Sequence, residues 1–266
     1  MSRSGFYTSL HRQTTSVIDV TESALVARVK AIADDTRSSY GSRRMAKHLQ
    51  DEGFAVGRAQ ARRLMHRAGV VVQRPTRRGP VTPDSGHGYA VAPTLLARQF
   101  DVAKPDQVWG GDISYVWTAE GWWSVSTLLD LYSRKVVGWA MSSRCDTTLV
   151  QDTLQMALGR RHPAAGRLHH ADRGSQYASD AYQDLLVAHG IVCSMSGKGE
   201  CLDNAGAERF FGSLKREWTA HRYYATRQEA RDDIIAYIEM FYNSRRQHSY
   251  LGYVSPNAYE KLARVA

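Results

Sequence analysis

The first third of the chain carries apolar residues at the three- and four-residue spacing of amphipathic helices. This spacing predicts a helix over residues 21–33, a second helix after Gly41 and a third over residues 58–68. Ser42 is the expected cap of the second helix. Two helices joined by a Gly-containing turn are typical of a helix-turn-helix, so we expect residues 20–72 to form a small all-helical domain. The residues predicted to form its core are Leu25, Val29, Ile32, Ala33, Met45, Leu49, Ala61, Leu64, Met65 and Ala68.

The next stretch interrupts the helical pattern. Residues 73–93 contain four prolines and three glycines and show no hydrophobic period, which is typical of a linker. We therefore predict a linker over residues 73–100 and a second domain over residues 101–266.

The second domain begins with the alternating pattern of β-strands. Residues 107–117 alternate so that Trp109, Ile113, Tyr115 and Trp117 share one face. Two more strands, residues 122–130 and 135–141, follow short turns and complete an antiparallel meander. The remaining predicted elements are a helix at 147–158, a strand at 167–171, a helix at 179–188, a strand at 191–195, and helices at 204–218 and 228–245. This order predicts an α/β domain whose mixed sheet carries helices on its faces.

Composition and charge change this picture in one respect. With 43% hydrophobic and 23% charged residues, the chain has the composition of a folded protein, and it has no apolar run of about 18 residues that would cross a membrane. Residues 1–80 hold 15 Lys and Arg against 6 Asp and Glu, whereas residues 81–266 hold 20 of each. An excess of positive charge confined to the helical domain indicates a nucleic-acid partner, although a solubilising surface is the alternative.

Four arginines on the third predicted helix are the candidate DNA contacts of this domain. Arginines on a recognition helix can reach phosphates and base edges in a major groove, whereas the plainer alternative is a solvated face of an ordinary helical bundle. The four are Arg58, Arg62, Arg63 and Arg67.

Three acidic residues of the second domain occupy notable positions. Asp112 lies within the first strand, Asp172 follows the fourth strand, and Glu208 lies one turn into a later helix. If the first and fourth strands are neighbours, these carboxylates converge on one rim of the sheet. Clustered carboxylates need cations, and their hard oxygen donors suit Mg²⁺ or Mn²⁺. Taken singly, each acid could equally be a polar strand residue, a turn former or a surface ion-pair partner.

The segments that carry these acids resemble those of a known family. Three segments are similar, in order, to the three motifs of DDE transposases and retroviral-type integrases: WGGDISYV, HHADRGSQYAS and DNAGAERFFGSLKRE. The spacing is also similar, since 35 residues separate Asp172 from Glu208. The family's N-terminal helix-turn-helix is resembled by the segment YGSRRMAKHLQDEGFAVGRAQARRLMHRAGV. Its post-catalytic motif is resembled by the segment YNSRRQHSYLGYVSP. Over nearly its whole length the chain resembles an OrfB-type transposase of the insertion sequence 3 family.

This resemblance implies an RNase H-like core in which Asp112, Asp172 and Glu208 bind two Mg²⁺ ions, with Mn²⁺ as a possible substitute. The implied reaction cuts and joins the ends of a mobile element by phosphodiester hydrolysis and transesterification. Lys215, two helical turns after Glu208, would hold a phosphate of the element's end or is simply a surface lysine. A related nuclease or integrase, and a non-catalytic DNA-binding regulator that uses only the helical domain, are the alternatives.

The resemblance also implies partners and a location. The expected partners are the terminal repeats of the element, the target DNA, an upstream OrfA-type helix-turn-helix protein fused by frameshifting, and further copies of the chain. We expect a cytoplasmic, nucleoid-associated protein whose cysteines are free thiols. We expect no zinc module, because no cysteine precedes Cys145.

A few further residues lie in or near the motifs. Gly111 and Ala171 stand where the family often has Thr and Ser. We expect His169 and His170 to serve packing. The residues Arg245, Arg246 and His248 follow the last long helix, and we expect them to be mainly structural with some DNA contact.

Overall fold

The structure is a computed structural model that describes residues 22–72, 87–197 and 200–263. The chain divides into two compact units, residues 1–75 and residues 76–266. Part of the predicted linker, residues 73–86, lies outside the described residues.

The first unit is all-helical, as predicted. Its helices are α1 at residues 22–35, α2 at Ser42–Asp51 and α3 at Arg58–Arg67. The expected core is confirmed, with Leu25 and Ala68 only half-buried. The predicted cap at Ser42 is wrong, because Gly41 is the cap of α2 and Ser42 is its first helical residue. The reason is that the extended Gly41 already supplies the carbonyl that accepts from the Met45 amide at 2.9 Å.

The second unit is built on a five-stranded mixed sheet. Its strands are β1 Val108–Thr118, β2 Gly121–Asp130, β3 Val136–Ser142, β4 Leu168–Ala171 and β5 Val192–Met195. The order across the sheet is β3-β2-β1-β4-β5. The first three strands form the predicted antiparallel meander, and β4 and β5 add to it in parallel. This order and these directions agree with the RNase H-like core that the sequence predicts.

Helices cover both faces of this sheet. The helices are α4 Thr147–Arg161, α5 Ser175–Ala178, α6 Asp180–Ala188, α7 Ala205–Leu214, α8 Arg227–Ile235 and α9 Pro256–Ala263. On one face, Trp109 and Leu128 of the sheet pack in one core cluster with Leu154 of α4 and Tyr182 of α6. On the other face, α7 lies against β1 and β2. None of the helices in the described part of the chain is long and apolar enough to cross a membrane.

Two helices change their winding where the pattern predicts uniform α-helix. α7 continues as a π-helical segment at Lys215–Thr219, and α8 continues as another at Ala236–Tyr242. The two segments pack on each other through Trp218, whose ring lies 5.4 Å from that of Phe241 in a stacked arrangement. A π-turn inserts an extra residue and rotates the rest of the helix about its axis, a change that the hydrophobic period along the chain does not show.

The long first strand is buried along only part of its length. Trp109 is fully buried, and Ile113 is half-buried against the core cluster. Tyr115 and Trp117 lie on the same face by alternation, but both are exposed at the far end of the β1–β2 hairpin. The predicted common face is therefore present, although only its first half contributes to the core.

Candidate active site

Two of the predicted acids lie at the same end of a pair of neighbouring parallel strands. β1 and β4 pair with the register Val108 to Leu168 and Gly110 to His170. Asp112 lies two residues after Gly110 on β1, and Asp172 directly follows the last residue of β4, Ala171. The first and fourth strands are thus neighbours, and the two carboxylates share one rim of the sheet.

Helix α7 brings the third acid to this rim by a close approach to β1. A methyl group placed on Gly110 would lie 3.7 Å from the Ala207 side chain, so small residues face each other where helix and strand meet. The buried side chain of Asn204, just before α7, donates a hydrogen bond of 3.0 Å to the Gly111 carbonyl. Glu208 follows Ala207 and lies exposed in the first turn of the helix.

The three carboxylates lie within electrostatic range of one another. Burial, followed by the negative charges of Asp172 and Glu208, raises the pKa of Asp112 to about 8, against a hydrogen bond from the Ile113 amide that lowers it. Burial also raises the pKa of Asp172, which accepts a 2.9 Å hydrogen bond from the Gly174 amide. The pKa of Glu208, whose side chain is exposed, is raised by the partial loss of water around its carboxyl group and then by the negative charge of Asp172. The surroundings of the three acids therefore disfavour the ionised form of each carboxyl group.

Lys215 lies on the same side of the structure as these acids. Its side chain is exposed, and its positive charge acts to lower the pKa of Asp112. Because the π-helical segment begins only at Lys215, the two turns that separate it from Glu208 are α-helical, and both residues project from the same face of α7.

The carboxylate oxygens of the three acids suit a hard divalent cation, although the three side chains are not gathered closely around one point. Within the described ranges, no three His, Cys, Asp or Glu side chains are close enough together to hold a metal ion. The three acids nevertheless supply only carboxylate oxygens, and a cation would relieve the repulsion that raises the pKa of Asp112.

The two histidines beside Asp172 serve packing, as expected. Burial lowers the pKa of His169 to about 3, and its Nε2 lies 3.1 Å from the Tyr182 hydroxyl. Burial lowers the pKa of His170 to about 4, and its ring lies between the hydroxyls of Ser194 and Ser196. Neutral, buried rings of this kind are part of the core.

The glycine that departs from the family pattern has a packing explanation. A methyl group on Gly111 would lie 3.0 Å from the His169 Nε2 and 3.3 Å from the Tyr177 hydroxyl. The space for a larger residue before Asp112 is therefore already filled by two buried rings.

The four arginines of α3 fall into two pairs. Arg67 and Arg63 reach Glu22 of α1, with nitrogen–oxygen distances of 2.7 and 3.6 Å. Arg58 and Arg62 are exposed, and the Arg58 Nε lies 3.5 Å from the Ser42 hydroxyl. Half of the candidate DNA contacts thus also take part in an ion pair within the helical unit.

The basic residues after α8 have different surroundings. Arg246 is buried and makes two hydrogen bonds of 2.6 Å to the Glu217 carboxylate, while Arg245 is exposed. The Arg246 guanidinium also lies 3.2 Å from the ring of His248, which is itself buried. The structural role expected for Arg246 and His248 is confirmed, and burial leaves them no surface for the expected DNA contact.

Sequence reasoning missed Asn204. An asparagine just before a predicted helix indicates a cap, yet its side chain makes no cap hydrogen bond and bonds instead to Gly111, 93 residues away. Only its place four residues before Glu208 hinted at a link to the site.

Models of known domain families match both units of the chain. An integrase core domain model matches residues 102–201, a second integrase core domain model matches residues 189–256, and an HTH-like domain model matches residues 21–78. The simian T-cell lymphotropic virus intasome in complex with PP2A regulatory subunit B56 gamma is a solved structure with a TM-score of 0.49 and 14% identity, covering 87% of this chain and 74% of that one.

Full-length relatives are found among insertion elements. The insertion element IS600 uncharacterized 31 kDa protein of Shigella sonnei is 39% identical over 267 residues, which cover 100% of this chain and 97% of the relative. The transposase InsF for insertion sequence IS3A of Escherichia coli K12 is 37% identical over 261 residues, covering 98% of this chain and 90% of the relative. Because these matches include the catalytic core as well as the helical unit, a non-catalytic DNA-binding regulator is not favoured. The chain belongs to the IS3 family of insertion-sequence transposases, the DDE polynucleotidyl transferases with an integrase-type core.

Proposed function

We propose that this transposase cuts and joins the ends of its element at the carboxylate rim, where Asp112, Asp172 and Glu208 hold two Mg²⁺ ions or, in their place, Mn²⁺. The observation that carries the proposal is the parallel pairing of β1 with β4, which has Asp112 and Asp172 at the same end, together with the packing of α7, the helix of Glu208, against β1. The raised pKa of all three carboxyls supports it, because such acids become stable anions when a cation binds them.

When bound, two divalent cations stabilise the charge on the attacking and leaving oxygens of an in-line phosphoryl displacement. The chain's own residues then have distinct tasks. The three carboxylates would hold the cations that position the scissile phosphate, and Asn204 keeps the helix of Glu208 against the strand of Asp112. Lys215 neutralises a phosphate of the element's end from the same face of α7 as Glu208. The nucleophiles are water for cleavage and then a DNA 3′-hydroxyl for joining.

We assign DNA recognition to the helical domain and the chemistry to the second domain. Residues 20–72 form the helix-turn-helix domain, residues 73–100 the linker, and residues 101–266 the catalytic domain with its helical extension. In the first domain, Arg58 and Arg62 contact phosphates or base edges, and Arg63 and Arg67 do so if they leave Glu22. An OrfA-type fusion partner and further copies of the chain complete the assembly on the element's ends and the target DNA, at the nucleoid in the cytoplasm.

The decisive test uses the native element, including its upstream reading frame, in cells. Circular junctions between the element's ends are amplified for wild type, Glu208→Gln, Asp112→Asn and Asp172→Asn. We expect junctions in wild type and a loss below detection in each variant, because each change removes one anionic donor. Asp184→Asn, which alters an exposed acid on α6, is the matched control and should form junctions normally.

Purified protein separates chemistry from expression. Cleavage of an element-end duplex should require Mg²⁺ or Mn²⁺ and stop on chelation, while Glu208→Gln should bind the same duplex as wild type does. Junctions or cleavage that persist in Glu208→Gln would contradict the assignment of the acids.

A further inference from the structure

Three exposed aromatic side chains form an aromatic patch at the end of the β1–β2 hairpin. Tyr115, Trp117 and Trp122 are 47%, 55% and 59% exposed. Trp117 and Trp122 are direct cross-strand partners with ring centroids 5.0 Å apart, and the rings of Tyr115 and Trp122 are 6.4 Å apart. Adjacent exposed aromatic rings with polar tips mark an interaction site rather than part of a core.

The patch begins near the candidate active site. Tyr115 lies three residues after Asp112 on β1, about 10 Å further along the strand and on the opposite face of the sheet. Its hydroxyl donates to the Cys145 Sγ at 3.3 Å, and the Gln176 side chain, four residues after Asp172, donates to the Cys145 carbonyl at 2.9 Å. The negative charges of Asp172 and Asp112 also help to raise the pKa of Tyr115. Tyr115 is therefore the member of the patch nearest the carboxylate rim.

The charge around the patch suits a polyanion better than an apolar protein partner. Arg144 directly precedes Cys145, and its side chain is 79% exposed, although its guanidinium also lies 3.1 Å from Asp146. The guanidinium of Arg227 lies near the hairpin turn, 5.5 Å from the centre of the Trp123 ring, on the face of the hairpin opposite Trp122. Aromatic rings flanked by cations are the combination with which proteins bind unpaired nucleotides, since bases stack on rings and phosphates pair with arginine.

We propose that this aromatic patch stacks unpaired nucleobases of the DNA strand that flanks the scissile phosphodiester at the element's end. The proposal rests on the proposed function, because it needs the scissile phosphate at the rim formed by Asp112 and Asp172. Bases within a duplex are already stacked on each other, so the patch gains contact only with bases that have left the helix.

The test compares two double variants of the full chain. Trp117→Leu/Trp122→Leu keeps apolar surface but removes the aromatic faces, whereas Trp117→Phe/Trp122→Phe keeps them. The probes are a forked element-end duplex with unpaired flanking bases, a fully paired version of it, and an unrelated target duplex, measured by fluorescence anisotropy at constant salt. We expect the leucine variant to bind the forked probe about tenfold or more weakly and the phenylalanine variant to bind it nearly as wild type does.

Two controls keep the result interpretable. Tyr250→Leu changes an aromatic residue of similar exposure that stacks on Arg134, beyond the other end of β2, and it should leave binding of the forked probe unchanged. Glu208→Gln should retain the preference for the forked probe while losing cleavage, so failure of the carboxylate chemistry is distinguishable from failure of the patch.

Three outcomes would overturn the proposal. The first is a leucine variant that binds the forked probe as tightly as wild type does. The second is equal weakening on the unrelated target duplex, which would assign the patch to target DNA. The third is a change in oligomeric state, seen by light scattering, with DNA affinity intact, which would make the patch a contact between copies of the chain.

Discussion

At the scale of single residues, the centre of the catalytic unit depends on ionisable groups that are kept neutral. His169 is fully buried beneath β1, between the rings of Tyr177 and Tyr182. Its pKa of about 3 means that the folded protein holds the ring uncharged across the whole range in which a free histidine titrates. The same burial that packs the strand of Asp172 therefore makes the unit sensitive to acid.

Stability should fall as the pH falls from about 6.5 towards 3, because the unfolded chain then binds a proton at His169 that the folded chain does not. The expected slope is about 1.4 kcal/mol per pH unit for this group. His170, whose pKa is lowered to about 4, acts in the same direction. Urea unfolding of wild type and His169→Gln at about pH 7 and about pH 5 measures the loss of stability on acidification. The variant should lose less stability on acidification, and equal losses would show that His169 does not cause the effect.

At the scale of secondary-structure elements, the layers of the catalytic unit are held at very short spacing. A methyl group on Gly138 of β3 would lie 2.3 Å from the Thr153 carbonyl and 2.9 Å from the Ala157 side chain, both on α4. The backbone of the helix therefore rests directly on the strand.

Gly138→Ala should force α4 away from the sheet and lower the free energy of unfolding by about 1–3 kcal/mol. Gly212→Ala is the matched control, since Gly212 lies on α7 with no atom within 4 Å of its added methyl group. The control should be neutral or stabilising, by up to about 1 kcal/mol, because alanine favours the helix. Thermal or urea unfolding compares the two, and equal effects would contradict the close approach.

The end of the helix that carries Glu208 is held by a buried ion pair. Arg246 forms two hydrogen bonds to Glu217 and a third to Ser213, and the Tyr237 hydroxyl also donates to Glu217. The burial of both charges means that neither is stable without the other.

Arg246→Met should therefore destabilise the protein by about 3–5 kcal/mol, because it leaves a buried carboxylate without its cation. Adding Glu217→Gln to this variant should recover part of the loss, since the amide carries no charge. Urea unfolding of the two single variants and the double variant forms a complete cycle. Strictly additive effects would show that the two residues do not interact in this way.

At the scale of the whole molecule, charge and chemistry are divided between the two units. The excess of 15 basic over 6 acidic residues lies in residues 1–80, and the carboxylate rim lies in the balanced remainder. We expect most of the salt dependence of DNA binding to arise from the helical unit.

Arg58→Gln/Arg62→Gln should reduce the slope of log affinity against log salt by about one for each arginine, because each phosphate contact releases counterions. Arg63→Gln/Arg67→Gln is the matched control on the same helix, and its effect should be smaller because both arginines reach Glu22. Titration of an element-end duplex at several salt concentrations measures both slopes. A larger reduction of the slope by Arg63→Gln/Arg67→Gln would assign the phosphate contacts to Arg63 and Arg67 instead.

Much of this architecture could be predicted from local pattern. The helices α2, α3 and α4 and the antiparallel meander follow from periodicity and turn residues, since these signals depend on neighbours in the chain. The short helix α5 was not predicted because its four residues offer too few positions for a period. The π-helical segments were missed because one extra residue in a turn hardly changes the hydrophobic period along the chain.

The sequence by itself determined the order of elements, the family and the three acids proposed as metal ligands, because periodicity and motif spacing are written along the chain. Only the tertiary structure decided that Asp112 and Asp172 lie at the same end of the β1–β4 pair, that Asn204 ties α7 to β1, and that Tyr115 and its aromatic neighbours remain exposed. These features depend on strand register and on contacts between residues tens of positions apart, which no local pattern encodes.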